Sequence, residues 1–153
     1  MTDTLSAALA HVDANLDASV ERLFDLLRIP SISTDPAHAG DCRAAAGWLT
    51  AALGELGFEA SVRETAGLPM VVGHQRGQEG KPSALFYGHY DVQPVDPLSL
   101  WEHDPFSPSI GEENGRKVIR ARGASDDKGQ LMTFVEACRA WRATHGSLPL
   151  NVS

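Results

Sequence analysis

An apolar run, "ALFY" at residues 84–87, stops at Gly88, and His89 and Asp91 follow two positions apart. Four consecutive apolar residues read as a buried strand rather than one with a wet face. Side chains two apart on a strand share a face. Such a strand would end by turning an imidazole and a carboxylate the same way, with Tyr90 opposed. Ligand sites in open α/β sheets gather at those strand ends.

The rest of the chain supplies elements to surround that strand. Leu5, Leu9, Val12, Leu16, Val20, Leu23 and Leu27 recur at steps of three and four. That spacing predicts an amphipathic helix with a break near residues 15–17, ended by Pro30. A second helix is expected over 41–56, with Asp41 as N-cap. Its apolar face carries Ala45, Leu49, Ala52, Leu53 and Leu56, and Gly57 suits the left-handed position after its end. Strands follow at "FEASVRET", where Phe58, Ala60 and Val62 alternate, and at "LPMVVGHQ". "RGQEGKPS" reads as a turn. Residues 92–109 hold Pro94, Pro97, Pro105 and Pro108, a long connection of the kind that is often functional. "SIGEENGRKVIRAR" predicts a hairpin turning at Asn114-Gly115. "ASDDKGQLMTFVEACRAWRATHG" predicts a helix with Leu131, Val135, Cys138 and Trp141 inward, closed by Gly146, and "LPLNVS" a further strand. The fold class expected is α/β, a mixed sheet flanked by helices on both faces.

A length of 153 residues fits one domain. The 13 basic and 20 acidic side chains give a net charge of −7, which argues against a nucleic-acid partner. Arg116, Arg120 and Arg122 stand at even spacing and read as the wet side of a strand rather than a phosphate patch. Cys42 and Cys138 form neither a disulfide framework nor a CxxC site, and are expected as buried, reduced thiols. "MTDTLSAALAHVDAN" has no basic region followed by an apolar one, so no secretory signal is visible. No apolar run approaches the ~20 residues of a membrane span. A cytoplasmic protein with no membrane partner is the expectation.

Two constellations could carry chemistry. A metal-bound histidine normally gives its second ring N–H to a carboxylate or carbonyl, and His89-x-Asp91 could supply both groups. Its rival is a hydrogen-bonded structural pair. In "RGASDDKG", Asp126 or Asp127 could simply cap the helix that opens at Lys128, or one carboxylate could bridge two cations roughly 3.5–4 Å apart. His11, His38, His74, His103 and His145 read as surface or structural residues. Asp35, Asp96 and Asp104 stand beside prolines as turn formers. Ser125 lacks a GxSxG elbow, and "GASDDKG" lacks the glycine spacing of a phosphate loop.

Taken together, "GHYDVQP", "WEHDPFSP", "RGASDDKG" and "LLRIPSIS" resemble the dinuclear zinc exopeptidases. That group includes carboxypeptidase G, acetylornithine deacetylase, aminoacylase and the carnosinase-type dipeptidases. The tyrosine of "HYDVQP" and the "WEHDPFSP" stretch look most like the dipeptidase branch. The resemblance implies that His89 is a ligand of one zinc and that Asp126 bridges two, with the Asp126-Asp127 peptide cis. It implies that Asp91 is the partner of His89, usually counted as catalytic. The implied activity is hydrolysis of the amide bond of dipeptides through two zinc ions, or other divalent metals, and an activated bridging water whose proton passes to a glutamate.

The same resemblance marks a departure. The family's general-base glutamate and the glutamate ligand beside it follow the strand that begins "LPLNV". The remaining ligands and the lid and dimerisation domain come later still, whereas this sequence stops at Ser153. The resemblance therefore implies that residues 1–153 are the N-terminal portion of a catalytic domain, inactive alone, with a homodimer as the full-length form. An N-acyl amino acid deacylase with the same metal core and a non-catalytic fragment or interaction module are the alternatives. An interior final strand would leave an unpaired edge, so self-association is expected.

Overall fold

The computed structural model describes residues 3–153. Helices α1 (Asp3–Ala14) and α2 (Leu16–Leu27) are separated at Asn15, where the periodic pattern anticipates a break. The Asn15 side-chain amide donates to the His11 carbonyl at 2.8 Å. Helix α3 (Ala39–Glu55) starts earlier than Asp41 predicts. The Asp35 carboxylate accepts the Ala37 N–H at 2.9 Å and opens a 3-10 turn, Pro36–His38, that runs directly into α3. Asp41 thus sits in the first turn, paired with His38 Nδ1 at 2.7 Å, rather than at the cap.

Strands β1 (Glu59–Arg63) and β2 (Met70–His74) pair antiparallel, and β3 (Ser83–Ala84) pairs parallel with β6 (Asn151–Val152). A bridge from Gln75 to Val152 joins the two pairs, giving the order β1-β2-β6-β3. The sheet is mixed, as expected. Strands β4 (Ser109–Glu113) and β5 (Arg116–Arg120) form a separate hairpin. Asn114 and Gly115 turn it at φ 51° and 74°, the positive angles that a two-residue turn of this hand requires.

Helix α4 (Lys128–His145) buries Leu131, Met132, Val135, Cys138 and Ala140. Leu131, Met132, Val135 and Cys138 join Leu26 of α2, Ala45 and Leu49 of α3, Phe58 and Val152 in one core. Full burial of an aliphatic side chain such as Leu26 or Val135 is worth roughly 1.5–3 kcal/mol each. Glu136 ties α4 to α2 by a two-pronged ion pair, its carboxylate accepting from Arg22 Nε and Nη2 at 2.8 and 2.6 Å and from Ser19 Oγ at 2.8 Å.

The helices differ from expectation in where they lie. Paired residues share a face, so Gly73, Gln75, Val152, Ala84 and Phe86 lie on one side of the sheet. Phe86 stacks on Phe134 of α4 at 3.9 Å, and the open side of Gly73 faces Leu53 and Phe58 at the end of α3. Helices α3 and α4 therefore cover the same face. On the other face Leu85 and Tyr87 are 84% and 83% exposed, so the run read as a fully buried strand is covered only in part, at Phe86. Among the described residues, nothing covers its second face.

Candidate metal centre

Beyond Phe86 the chain leaves the sheet and carries His89 and Asp91 to its edge. His89 Nδ1 faces two acceptors of Asp91, the carbonyl and the carboxylate Oδ1, each at 3.1 Å. Nδ1 therefore carries a proton. His89 Nε2 points the other way, to Asp126 Oδ1 at 3.2 Å. Asp126 comes from the loop before α4, and its peptide bond to Asp127 is cis. Its side chain is 81% exposed, against 37% for both His89 and Asp91, so the Nε2 and Oδ1 atoms meet where a solute can reach them.

Burial of the imidazole would lower the His89 pKa. The Asp91 carbonyl contact, the Asp91 charge and the Asp126 hydrogen bond outweigh that and raise it. The same surroundings favour any cation held between these groups.

Three contacts that the sequence reading did not find hold the two loops together. Asp127 occupies the N-cap position of α4 without capping it. Its Oδ2 instead accepts the main-chain N–H of His89 at 3.0 Å. Lys128 is fully buried, and its Nζ donates to the carbonyls of Leu26 and Ile29 at 3.0 and 2.7 Å. The carbonyls at the end of α2 and the negative end of its dipole receive the cation. Burial pushes the Lys128 pKa down to about 8. Ser31 Oγ donates to the Tyr90 carbonyl at 2.7 Å, and Val92 N–H returns to the Ser31 carbonyl at 2.9 Å. The segment "LLRIPSIS" thus braces both constellations. The signal available in sequence was a lysine next to two acids, which reads equally well as a solvated charge.

The other sequence candidates stay apart from this point. His38 pairs with Asp41, His74 with Ser153 Oγ, and His145 with Thr144. Asp35 and Asp104 form the expected turns, each accepting an N–H two residues on. Arg122 departs from the strand reading. It lies past β5, reaches the Pro94 carbonyl at 3.1 Å and sits 5.2 Å from the Trp101 ring, tying down the 92–109 connection. Cys42 and Cys138 are free and buried, as expected.

A two-zinc site is built from imidazole nitrogen and carboxylate oxygen donors, and an imidazole Nε2 beside a carboxylate offers both. The number of donors is short. Among the described residues no group of three or more His, Cys, Asp or Glu is arranged to hold a metal ion, and a catalytic zinc takes three protein ligands. The residues fit part of a metal site.

The profile "Peptidase family M20/M25/M40" matches residues 85–153. The solved structure of the dipeptidase Dug1p from Saccharomyces cerevisiae superposes with a TM-score of 0.87 at 26% identity, covering 99% of this chain and 34% of that one. The structure of human carnosine dipeptidase 1 gives a TM-score of 0.83 at 26% identity, covering 97% of this chain and 33% of that one. The cysteinylglycine-S-conjugate dipeptidase of Corynebacterium striatum is 32% identical over 145 residues, 92% of this chain and 31% of its own length. The chain matches peptidase family M20/M25/M40 over residues 85–153 and is similar to dipeptidases over nearly its whole length. It spans about one third of the length of the relatives it matches, and divalent-metal dependence is the property of that family. Among the described residues, no helix is long and apolar enough to cross a membrane.

Proposed function

We propose that residues 1–153 form the N-terminal portion of the catalytic domain of a zinc-dependent dipeptidase, and contribute His89 and Asp126 to a two-metal centre, with Asp91 as the residue that orients His89. One observation carries the reading. His89 Nε2 and Asp126 Oδ1, from two separate loops, meet at 3.2 Å while Asp91 holds the opposite ring nitrogen. Dipeptidases among the similar proteins support the substrate class.

Each residue has a defined task. Asp91 accepts the Nδ1 proton, so that the Nε2 lone pair is presented outward. Asp126 would contribute its carboxylate to holding divalent metal. Asp127 holds the His89 main chain and so fixes where the imidazole begins. Bound divalent metal supplies Lewis acidity and lowers the pKa of a coordinated water. The proton-accepting base and the remaining donors are not among the described residues.

Calorimetric titration of this chain with zinc and with manganese tests the proposal. Weak binding is expected, lost in His89→Ala and in Asp126→Ala. It should fall by about tenfold to a hundredfold in Asp91→Ala, the range for a partner that orients a ligand. The chain alone should cleave neither dipeptides nor N-acyl amino acids. Metal binding that survives unchanged in both ligand variants would remove the proposal. A longer form of the protein that prefers N-acyl amino acids to dipeptides would select the deacylase reading instead.

A further inference from the structure

We propose that Ser31 is a positioning residue of the metal centre, clamping the main chain on both sides of Asp91 and thereby keeping the His89 proton on Nδ1. The inference rests on the roles proposed above for His89 and Asp91 and extends them to a residue outside both site loops.

Ser31 is fully buried, and each of its polar groups is engaged. Its N–H donates to the Ile29 carbonyl at 2.8 Å, the same carbonyl that takes Lys128 Nζ at 2.7 Å. Its hydroxyl donates to the Tyr90 carbonyl at 2.7 Å. Its own carbonyl accepts from Val92 N–H at 2.9 Å. A serine that merely shapes its own turn bonds to backbone groups a few residues away. This hydroxyl reaches across 59 positions.

The two long-range bonds fall on either side of one residue. A peptide unit is planar, so its N–H and C=O turn together. The Tyr90 carbonyl belongs to the unit before the Asp91 Cα, and Val92 N–H to the unit after it. Holding both units fixes φ and ψ of Asp91. In a trans unit the N–H and C=O point in opposite directions. With Val92 N–H turned to Ser31, the Asp91 carbonyl is turned away from Ser31, and there His89 Nδ1 meets it at 3.1 Å. The same φ and ψ direct the Asp91 carboxylate to that nitrogen, also at 3.1 Å.

The imidazole has a competing acceptor. Asp126 Oδ1 stands 3.2 Å from Nε2, and a proton on Nε2 would remove the lone pair that a metal needs. The distances on the two sides of the ring are nearly equal. What favours Nδ1–H is that Asp91 presents two acceptors and Asp126 one. Ser31 therefore acts on His89 through Asp91. Its hydroxyl is the side-chain arm of the clamp, and its carbonyl the main-chain arm.

Ring-nitrogen NMR shifts of His89 test the proposal on the 153-residue chain without metal, at alkaline pH where the ring is neutral. The parent should carry its proton on Nδ1. Ser31→Ala should move part of the population to Nε2–H, and Asp91→Ala should move more. Glu136→Gln, altered in the α2–α4 ion pair, should leave the tautomer unchanged, which separates the clamp from a general loss of stability. Zinc titration gives a second readout. Ser31→Ala should weaken binding by about threefold to tenfold, less than the loss of the direct partner Asp91. In an Asp91→Ala background Ser31→Ala should have no further effect, as a residue acting only through Asp91 requires. An unchanged tautomer in Ser31→Ala, a parent with its proton on Nε2, or zinc losses that add in the double variant overturns the proposal. A parent that binds no zinc would remove the metal reading, and the tautomer shifts would still decide the clamp.

Discussion

His89 and Asp126 lie 37 positions apart in the chain, and their side chains meet at 3.2 Å between Nε2 and Oδ1. The contact joins the end of a sheet-edge segment to the loop that starts α4. It depends on bracing at both sides, by Asp127 on the His89 main chain and by Lys128 on the end of α2. The bracing makes predictions that need no bound metal.

Removing the Asp127 acceptor leaves the part-buried His89 N–H without a partner. Asp127→Ala should cost about 1.5–3 kcal/mol of stability, the range for a hydrogen bond to a charged group. Urea denaturation measures it. Asp127→Asn keeps an acceptor oxygen and should recover most of the loss. Equal effects of the two substitutions would show that the bond to His89 is not what Asp127 provides.

Lys128→Met removes a buried cation and with it one of the donors to the Leu26 and Ile29 carbonyls, which keep the Ile29 and Ser31 N–H groups. A hydrogen bond to a charged group is worth about 1.5–3 kcal/mol, while the charge no longer needs to be desolvated. A net destabilisation of about 1–2 kcal/mol is expected from these opposed terms, read from the denaturation midpoint. A variant as stable as the parent would mean that the buried charge costs as much as its hydrogen bonds return.

The Arg22–Glu136 pair gives a pH signature. Burial alone would raise the Glu136 pKa, but hydrogen bonds from Arg22 and Ser19, with the Arg22 and Arg139 charges, lower it overall. A carboxylate lowered in the folded state contributes stability above its unfolded pKa, ~4.3 for glutamate. That contribution is lost as the pH falls through the lowered folded value. Glu136→Gln should therefore be less stable than the parent by about 1–3 kcal/mol at pH 7. The gap should close in acid. A gap that stays constant from pH 7 to acid would contradict the ionic origin.

The two thiols should be silent in the folded chain. Burial pushes the Cys138 thiol up to about 11, which leaves about one in a thousand ionised at pH 8, and the thiolate is the reactive form. Burial, then the Asp91 and Asp41 charges, raise Cys42 as well. A chromogenic disulfide reagent at pH 8 should label both only at the rate of unfolding. Rapid labelling of either in the native state would show that its helix opens locally.

Local patterns carried most of the elements. Leucine spacing marked α1 and α2 and the break at Asn15. Asn114-Gly115 marked the hairpin turn, and alternation at Phe58, Ala60 and Val62 marked β1. These signals are legible because helix and strand periods and turn angles are set within a few residues. The start of α3 was misplaced because Asp41 looks like a cap, whereas the 3-10 turn that Asp35 opens at Pro36 runs straight into the helix.

The residue types of the site were visible in "GHYDVQP" and "RGASDDKG", and strand periodicity placed His89 and Asp91 on one side. That Asp126 meets His89, that Asp127 grips its main chain, and that Lys128 turns inward to α2 were decided by the tertiary structure. So was the exposure of Leu85 and Tyr87. An apolar run states what a strand would bury, whereas burial itself depends on which elements arrive from elsewhere in the chain to cover it. Contacts between loops far apart in sequence arise from chain packing, and no local period encodes them.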